Sequence, residues 1–188
     1  MAKAATGFPP VIDGGVETLI LGSFPSVASL GKAQYYAHPQ NQFWRLLGAI
    51  IDEPLPAMDY ESRKRTLLKH RIGLWDVIRG CVRKGSLDAD IRSARHNDFA
   101  RVTAVAGGLR RVFFNGKTAG RFERQFAEQG YETAVLPSSS PAYTLAFELK
   151  LAQWRQIETS SLAATLPAAR GRCRDMSAMR LQSHTSRR

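Results

Sequence analysis

ETLILGSFPSVASLGKAQYYAHPQNQFW, residues 17–44, joins an apolar run ending in glycine to a loop dense in serine, proline and aromatic rings. ETLILG (17–22) has the length of a strand and no sustained polar alternation, as expected of a strand covered on both faces. A surface connection needs only turn formers, yet residues 22–44 carry two prolines, five aromatic rings, a histidine and an asparagine. Such equipment suits contact with a flat ligand. At the far end of the stretch, NQFWRLLGAII places Phe43, Leu46, Leu47, Ile50 and Ile51 on one helical stripe, with Pro39 suited to a first turn.

The same alternation continues downstream. RRVFFNG (110–116) and YETAVLP (131–137) read as further buried strands, and a fourth is expected from GLWDVIRGCV (73–82). Helices are expected over 117–129, from Ala119, Phe122 and Phe126, and over 144–158, from Phe147, Leu151 and Trp154. Strands alternating with helices form a parallel sheet, so the fold class is α/β, a three-layer α/β/α sandwich. In such sheets ligands bind where loops leave the carboxyl ends of the strands. Three segments meet that rule: GSFPSVAS, NGK and PSSSPAY, all rich in small residues whose amides and hydroxyls can approach phosphates closely.

Composition sets the outer bounds. With 188 residues, 44% hydrophobic and 23% charged, the chain supports one well-buried core. It divides into an N-terminal extension (1–14), a main domain (15–160) and a basic tail (161–188). The tail holds six Arg and one Asp and lacks apolar periodicity, so disorder is expected from about Pro167; a solvated end and a DNA-holding arm are both open readings. Lys and Arg number 27 against 16 acids, a net charge of +11, which concentrates polyanions around the protein and makes nucleic acid the leading partner. No apolar run approaches the roughly 20 residues of a membrane span, and no membrane partner is expected. Cys81 and Cys173 stand far apart without metal-ligand spacing, which points away from a disulfide framework or zinc site and suits a reducing, cytoplasmic setting. No GxGxxG, Walker or GxSxG motif follows any strand, which disfavours a small-molecule α/β enzyme.

GSFPSVAS, AHPQNQFW, GLWDVIRGCVRKGSLDADI, FFNGKTA and LPSSSPAY, in that order, resemble the uracil-DNA glycosylase superfamily, and within it the hypoxanthine-DNA (DNA-deoxyinosine) glycosylase branch. The resemblance spans roughly residues 15–158. It implies a central four-stranded parallel sheet, a base flipped into a cleft, and hydrolysis of the N-glycosidic bond by a monomer acting on deaminated DNA without metal or other cofactor.

Most of the superfamily has Asp or Asn at the position of Phe24, and a phenyl ring can neither orient nor deprotonate water. Asn41 is the substitute that the resemblance implies. Two residues before Phe43 on the expected helix it projects about 200° from the core stripe, away from the core. An amide has no useful basicity, so Asn41 would hold water while the sugar gains oxocarbenium character. First-turn capping is the competing role for that asparagine. Tyr36 falls where a related branch presents a stacking aromatic and is assigned to the base face, with Tyr35 and Phe43 as weaker candidates; an ordinary half-buried loop ring is the alternative. Asn115, at a strand end, can read a donor–acceptor edge or simply close an Asx turn.

Phe24 and Ser138 complete the base-binding set. Ser138 stands where the superfamily often has His or Asn, and the missing donor weakens a preference for uracil. For DNA the expected contacts are Ser23, Ser26, Ser139, Ser140, Pro141, Ala142, Tyr143 and Lys117, with Ala142 or Tyr143 filling the gap left by the extruded nucleotide. Helix capping before Thr144 could occupy the same serines, and Ser23, Ser26 and Ser29 could merely be solvated. His38 reads as a structural loop residue, Trp75 as core, Arg83 as a phosphate contact and Asp88 as a cation's partner. Asp76 belongs to the resembling motif without an assigned task. A binding protein with the same fold and little or no catalysis is the alternative to an enzyme.

Overall fold

A computed structural model gives the architecture and describes residues 3–158. The basic tail expected at 161–188 lies outside the described residues. In chain order the elements are β1 (Lys3–Thr6), β2 (Thr18–Gly22), α1 (Val27–Lys32), α2 (Phe43–Ile51), α3 (Tyr60–Lys69), β3 (Ile72–Asp76) and β4 (Ile78–Arg83). There follow β5 (Arg92–His96), α4 (Ala100–Val105), β6 (Arg111–Asn115), α5 (Lys117–Gly120), α6 (Glu123–Ala127), β7 (Glu132–Leu136) and α7 (Phe147–Trp154).

The central sheet has four parallel strands in the order β3-β2-β6-β7. Every residue of β2 and β3 is buried, and so are four of the five in β6. Helices therefore cover both faces, which is why these strands are apolar runs rather than alternating ones. The result is a three-layer α/β/α sandwich. On one side the stripe of α2 (Phe43, Leu46, Leu47 and Ile50) is buried as its spacing requires, and α2 packs on α7 through the edge of Phe43 against Trp154, ring centroids 5.8 Å apart.

The GLWDVIRGCV stretch is divided rather than continuous. Val77 alone separates β3 from β4, and β4 leaves the parallel sheet to form an antiparallel one in the order β1-β4-β5. At this pivot the Val77 amide donates to Gly22 O (2.8 Å) and the Ile78 amide to Ser23 O (3.1 Å), tying the switch to the loop that follows β2. Lys3–Thr6, within the segment 1–14, pairs along Gly80–Arg83, and Val11 bridges to Leu74.

The expected helix over 117–129 is two short ones, α5 and α6, with Arg121 and Phe122 between them. Gly120 lies against β7 so closely that a Cβ there would sit 2.8 Å from both Val135 methyls. This contact fixes where the chain must turn. The helix expected over 144–158 is α7, Phe147–Trp154. No helix among the described residues is long and apolar enough to cross a membrane.

Candidate active site

Gly22, Asp76, Asn115 and Leu136 end the four parallel strands on one side of the sheet. Strand β2 lies between β3 and β6, so the loops leaving it and β6 diverge and open a crevice, as at other topological switch points. A cavity of about 510 Å³ fills that crevice, roomy enough for a purine. Tyr36, Asn41 and Asn115 share it, as do Phe24, Ser138, Ser23, Ser26, Ser139, Ser140, Ala142, Tyr143 and Lys117; Pro141, the weaker base-face candidate Phe43 and the expected phosphate contact Arg83 are not in its wall.

Tyr36 is held in a left-handed backbone conformation (φ +52°) that costs a non-glycine residue about 1–2 kcal/mol. Its ring stacks on Phe43, centroids 3.8 Å apart and planes 15° from parallel. Phe43 is thus the backing of Tyr36, and Tyr35 is buried and tied by its hydroxyl to Pro9 O at 3.2 Å. The Tyr36 hydroxyl is buried without completing a hydrogen bond, although Asn115 lies beside it. Burial, reinforced by the nearby Asp76, holds its proton on far above the ordinary phenol range.

Asn41 precedes the helix instead of riding on it, because α2 begins at Phe43. The 200° projection argument therefore does not apply. Asn41 reaches the cavity from the loop, and its Oδ1 accepts the Phe43 amide at 3.0 Å, relieving one of the free N–H groups at the helix start. Capping and a place in the cavity wall coexist, because the cap occupies the amide oxygen and involves none of the Nδ2 donors.

Asn115 and Ser139 grip one another. The Ser139 amide donates to Asn115 Oδ1 (2.8 Å) and Asn115 Nδ2 donates to Ser139 Oγ (2.9 Å). The clasp fastens the 137–143 loop to the end of β6, helped by Gln42 N to Ser139 O (3.0 Å) and Trp154 Nε1 to Pro137 O (2.8 Å). Ser139 is consequently fully buried and offers no surface to a phosphate, whereas Ser138 and Ser140 keep partial exposure. Gly116, at φ +92°, lets β6 turn beneath Ser138, where a Cβ would come within 3.0 Å of the serine's own. Tyr143 is exposed at the rim, and its carbonyl accepts from the buried Lys150 (2.7 Å).

On the opposite wall Phe24 is buried under the Arg83 guanidinium, 5.1 Å from its ring centroid, and Arg83 also donates to Pro25 O. Arg83 is itself buried, so its work is to hold the 23–25 loop rather than to meet a phosphate. Ser26 caps α1, accepting the Ser29 amide at 3.1 Å, and Ser23 donates to Asp88 Oδ1 at 2.8 Å. Asp88 also lies 3.9 Å from Arg83, which is the cation it pairs with.

Sequence reasoning left Asp76 without a role, and the structure sets it in the cavity wall. It is 4% exposed and its Oδ2 has no hydrogen-bond partner. Burial, and secondarily the charge of Asp88, push its carboxyl up to about 8 despite the opposing pull of Arg83. An ionisable residue inside an otherwise apolar strand is the signal that could have found it.

Known proteins resemble the chain over most of its length. A model of the uracil DNA glycosylase superfamily matches residues 9–160. A protein of Methanosarcina barkeri named hypoxanthine DNA glycosylase is 44% identical over 150 residues, covering 80% of this chain and 95% of that one. A protein of the same name from Methanosarcina acetivorans is 45% identical over 151 residues, covering 80% and 96%. A solution NMR structure from Methanosarcina acetivorans, described as a candidate uracil DNA glycosylase, superposes with a TM-score of 0.75 at 44% identity, covering 83% of this chain and 99% of that one. A four-stranded parallel sheet with its cavity at the strand ends, and a family match across most of the length, place the chain in the uracil DNA glycosylase superfamily.

Proposed function

We infer that the protein is a monofunctional DNA glycosylase, acting as a monomer without a cofactor, that extrudes a deaminated base and hydrolyses its N-glycosidic bond. Hypoxanthine from deoxyinosine is the foremost substrate, as the names of the two Methanosarcina relatives suggest, with uracil and xanthine next. The observation that carries this reading is the convergence of Tyr36, Asn41 and Asn115 on one cavity with room for a purine, beside a serine-rich rim. An enzyme acting on a base must take it out of the stack and hold it by stacking and by its edges.

In this mechanism Tyr36, backed by Phe43, takes the face of the base, while Phe24 and Ser138 close the cavity around it. Asn115 contributes the donors and lone pairs left over from its clasp with Ser139. Asn41 holds a water against the sugar. As the bond between the sugar and the base breaks, the electron pair leaves with the base. The water oxygen bonds to the anomeric carbon and its proton passes to solvent, leaving an abasic site. Ser23, Ser26, Ser140, Pro141 and Lys117 flank the phosphates, and Ala142 or Tyr143 fills the vacated stack. The net charge of +11 supplies the long-range attraction.

Oligonucleotides containing inosine, uracil or xanthine, incubated with the protein and then treated with hot alkali, test the function. Breaks at the modified base only after alkali are expected, with inosine cleaved fastest. Breaks before alkali would mean a coupled lyase, with Lys117 in the cavity wall the first lysine to test as Schiff-base former, and no breaks on any substrate would leave a binding protein of the same fold. Tyr36→Ala is expected to weaken binding of inosine-containing DNA by about 1–3 kcal/mol, the worth of one stacked base, relative to Tyr36→Phe, which keeps the ring. Equal affinities for the two variants, with Tyr36→Ala losing only thermal stability, would reduce Tyr36 to packing.

A further inference from the structure

Three polar or missing groups meet at one spot in the cavity floor. Gly22 has no side chain, and a Cβ built on it would lie 2.4 Å from Asp76 Oδ1 and 2.8 Å from the Tyr36 hydroxyl. The carboxyl and the hydroxyl thus converge over the glycine, yet Asp76 Oδ2 and Tyr36 Oη both lack hydrogen-bond partners. Two unpaired polar atoms in a buried place are costly unless a bound molecule completes them. Resting on the glycosylase reading above, we propose that Asp76 recognises the base as a neutral carboxylic acid, donating its O–H to the lactam carbonyl and accepting the adjacent lactam N–H.

The chemistry of the edge selects this form. A lactam presents one acceptor beside one donor, and a neutral carboxyl presents one donor beside one acceptor, so both bonds form at once. A carboxylate accepts only, and its charge would face the lactam oxygen. The surroundings favour the neutral form. Asp76 ends β3, registered against Gly22 of β2, and its backbone carbonyl is fixed by Asn97 Nδ2 at 2.8 Å. The titratable groups that bear on it are Tyr35 and Tyr36 from the loop after β2, Tyr60 from α3, Asp88 from the loop after β4, and Arg83 at the end of β4. The phenols stay neutral, Asp88 opposes ionisation, and Arg83 alone favours it, engaged with Pro25 and Asp88. Burial outweighs that single cation and leaves the carboxyl at about 8.

The test is cleavage of an inosine-containing oligonucleotide by the full chain under subsaturating single-turnover conditions, from pH 6 to 9, for wild type, Asp76→Asn and Asp76→Ala. The carboxamide introduced by Asp76→Asn offers the same donor and acceptor without a proton to lose. Because the substrate lactam also ionises in alkali, the readout is the ratio of wild type to Asp76→Asn. That ratio should be constant below pH 7 and drop about tenfold by pH 9, with Asp76→Asn within tenfold of wild type at pH 7. Asp76→Ala should be slower by at least a hundredfold at every pH, with its folded state verified by circular dichroism. A ratio flat to pH 9 would overturn the proposal, and so would Asp76→Ala cleaving like wild type. Asp76→Asn as slow as Asp76→Ala would overturn it too, since proton donation rather than recognition would then be the task. Failure of the wild type to cleave any of the three modified oligonucleotides would instead defeat the glycosylase reading itself.

Discussion

Asn41→Ala is expected to lower single-turnover cleavage of inosine-containing DNA by about 10²–10³-fold, the usual cost of removing a preorganised polar group from a transition state. Duplex affinity should change far less, because Asn41 lines the cavity and is not among the residues proposed to flank the phosphates. Alanine also removes the bond from the Phe43 amide, which costs about 1 kcal/mol of stability, the net worth of one hydrogen bond. The two effects separate with Asn41→Ser. Serine can accept the same amide, though more weakly, and has a shorter side chain, so its variant should regain part of the lost stability and still cleave slowly. If Asn41→Ser cleaves at the wild-type rate, the capping bond is the whole contribution of residue 41.

The second large effect is on stability. The Asp76 carboxyl titrates at about 8 in the folded chain and near the ordinary carboxylate value when unfolded. The folded state therefore binds the extra proton between about pH 4 and 8, and stability declines as pH rises through that window. The contribution is complete below the unfolded value and is lost once the folded carboxyl ionises. Asp76→Asn carries no such proton. Its stability advantage over wild type should grow by up to about 1.4 kcal/mol per pH unit across the window and level off above pH 8. Denaturant titrations of both proteins at pH 5, 6.5, 8 and 9 measure it. A constant difference across those values would mean that the folded carboxyl ionises as it does in water, and the burial argument would fail.

The strand-end rule makes much of the site legible in the sequence. ETLILG, RRVFFNG and YETAVLP are apolar enough to be strands buried on both faces, and the loops after them do line one cavity. What escaped are features set by contacts distant in sequence. Val77 looks like any apolar residue within GLWDVIRGCV; only its bonds to Gly22 and the pairing of β4 with β1 and β5 show that the chain changes sheets there. Phe122 continues the apolar period of its segment, so periodicity carried one helix across the turn between α5 and α6. Asn41 reads as helical in the sequence because Pro39 suits a first turn, whereas Pro39 and Gln40 form a turn of their own and α2 starts later. The burial of Ser139 follows from its clasp with Asn115, 24 residues away, which no local pattern encodes.

The β1 strand has a bearing on handling the protein. Lys3–Thr6 covers the backbone of Gly80–Arg83, whose last residue lies over Phe24 and anchors the 23–25 loop. A chain trimmed of those few amino-terminal residues would bare a row of unpaired amides and carbonyls, the kind of seam that recruits strangers and seeds clumping. It would also slacken a stay of the cavity wall, so fusion partners belong on a linker that leaves this ribbon free to lie down.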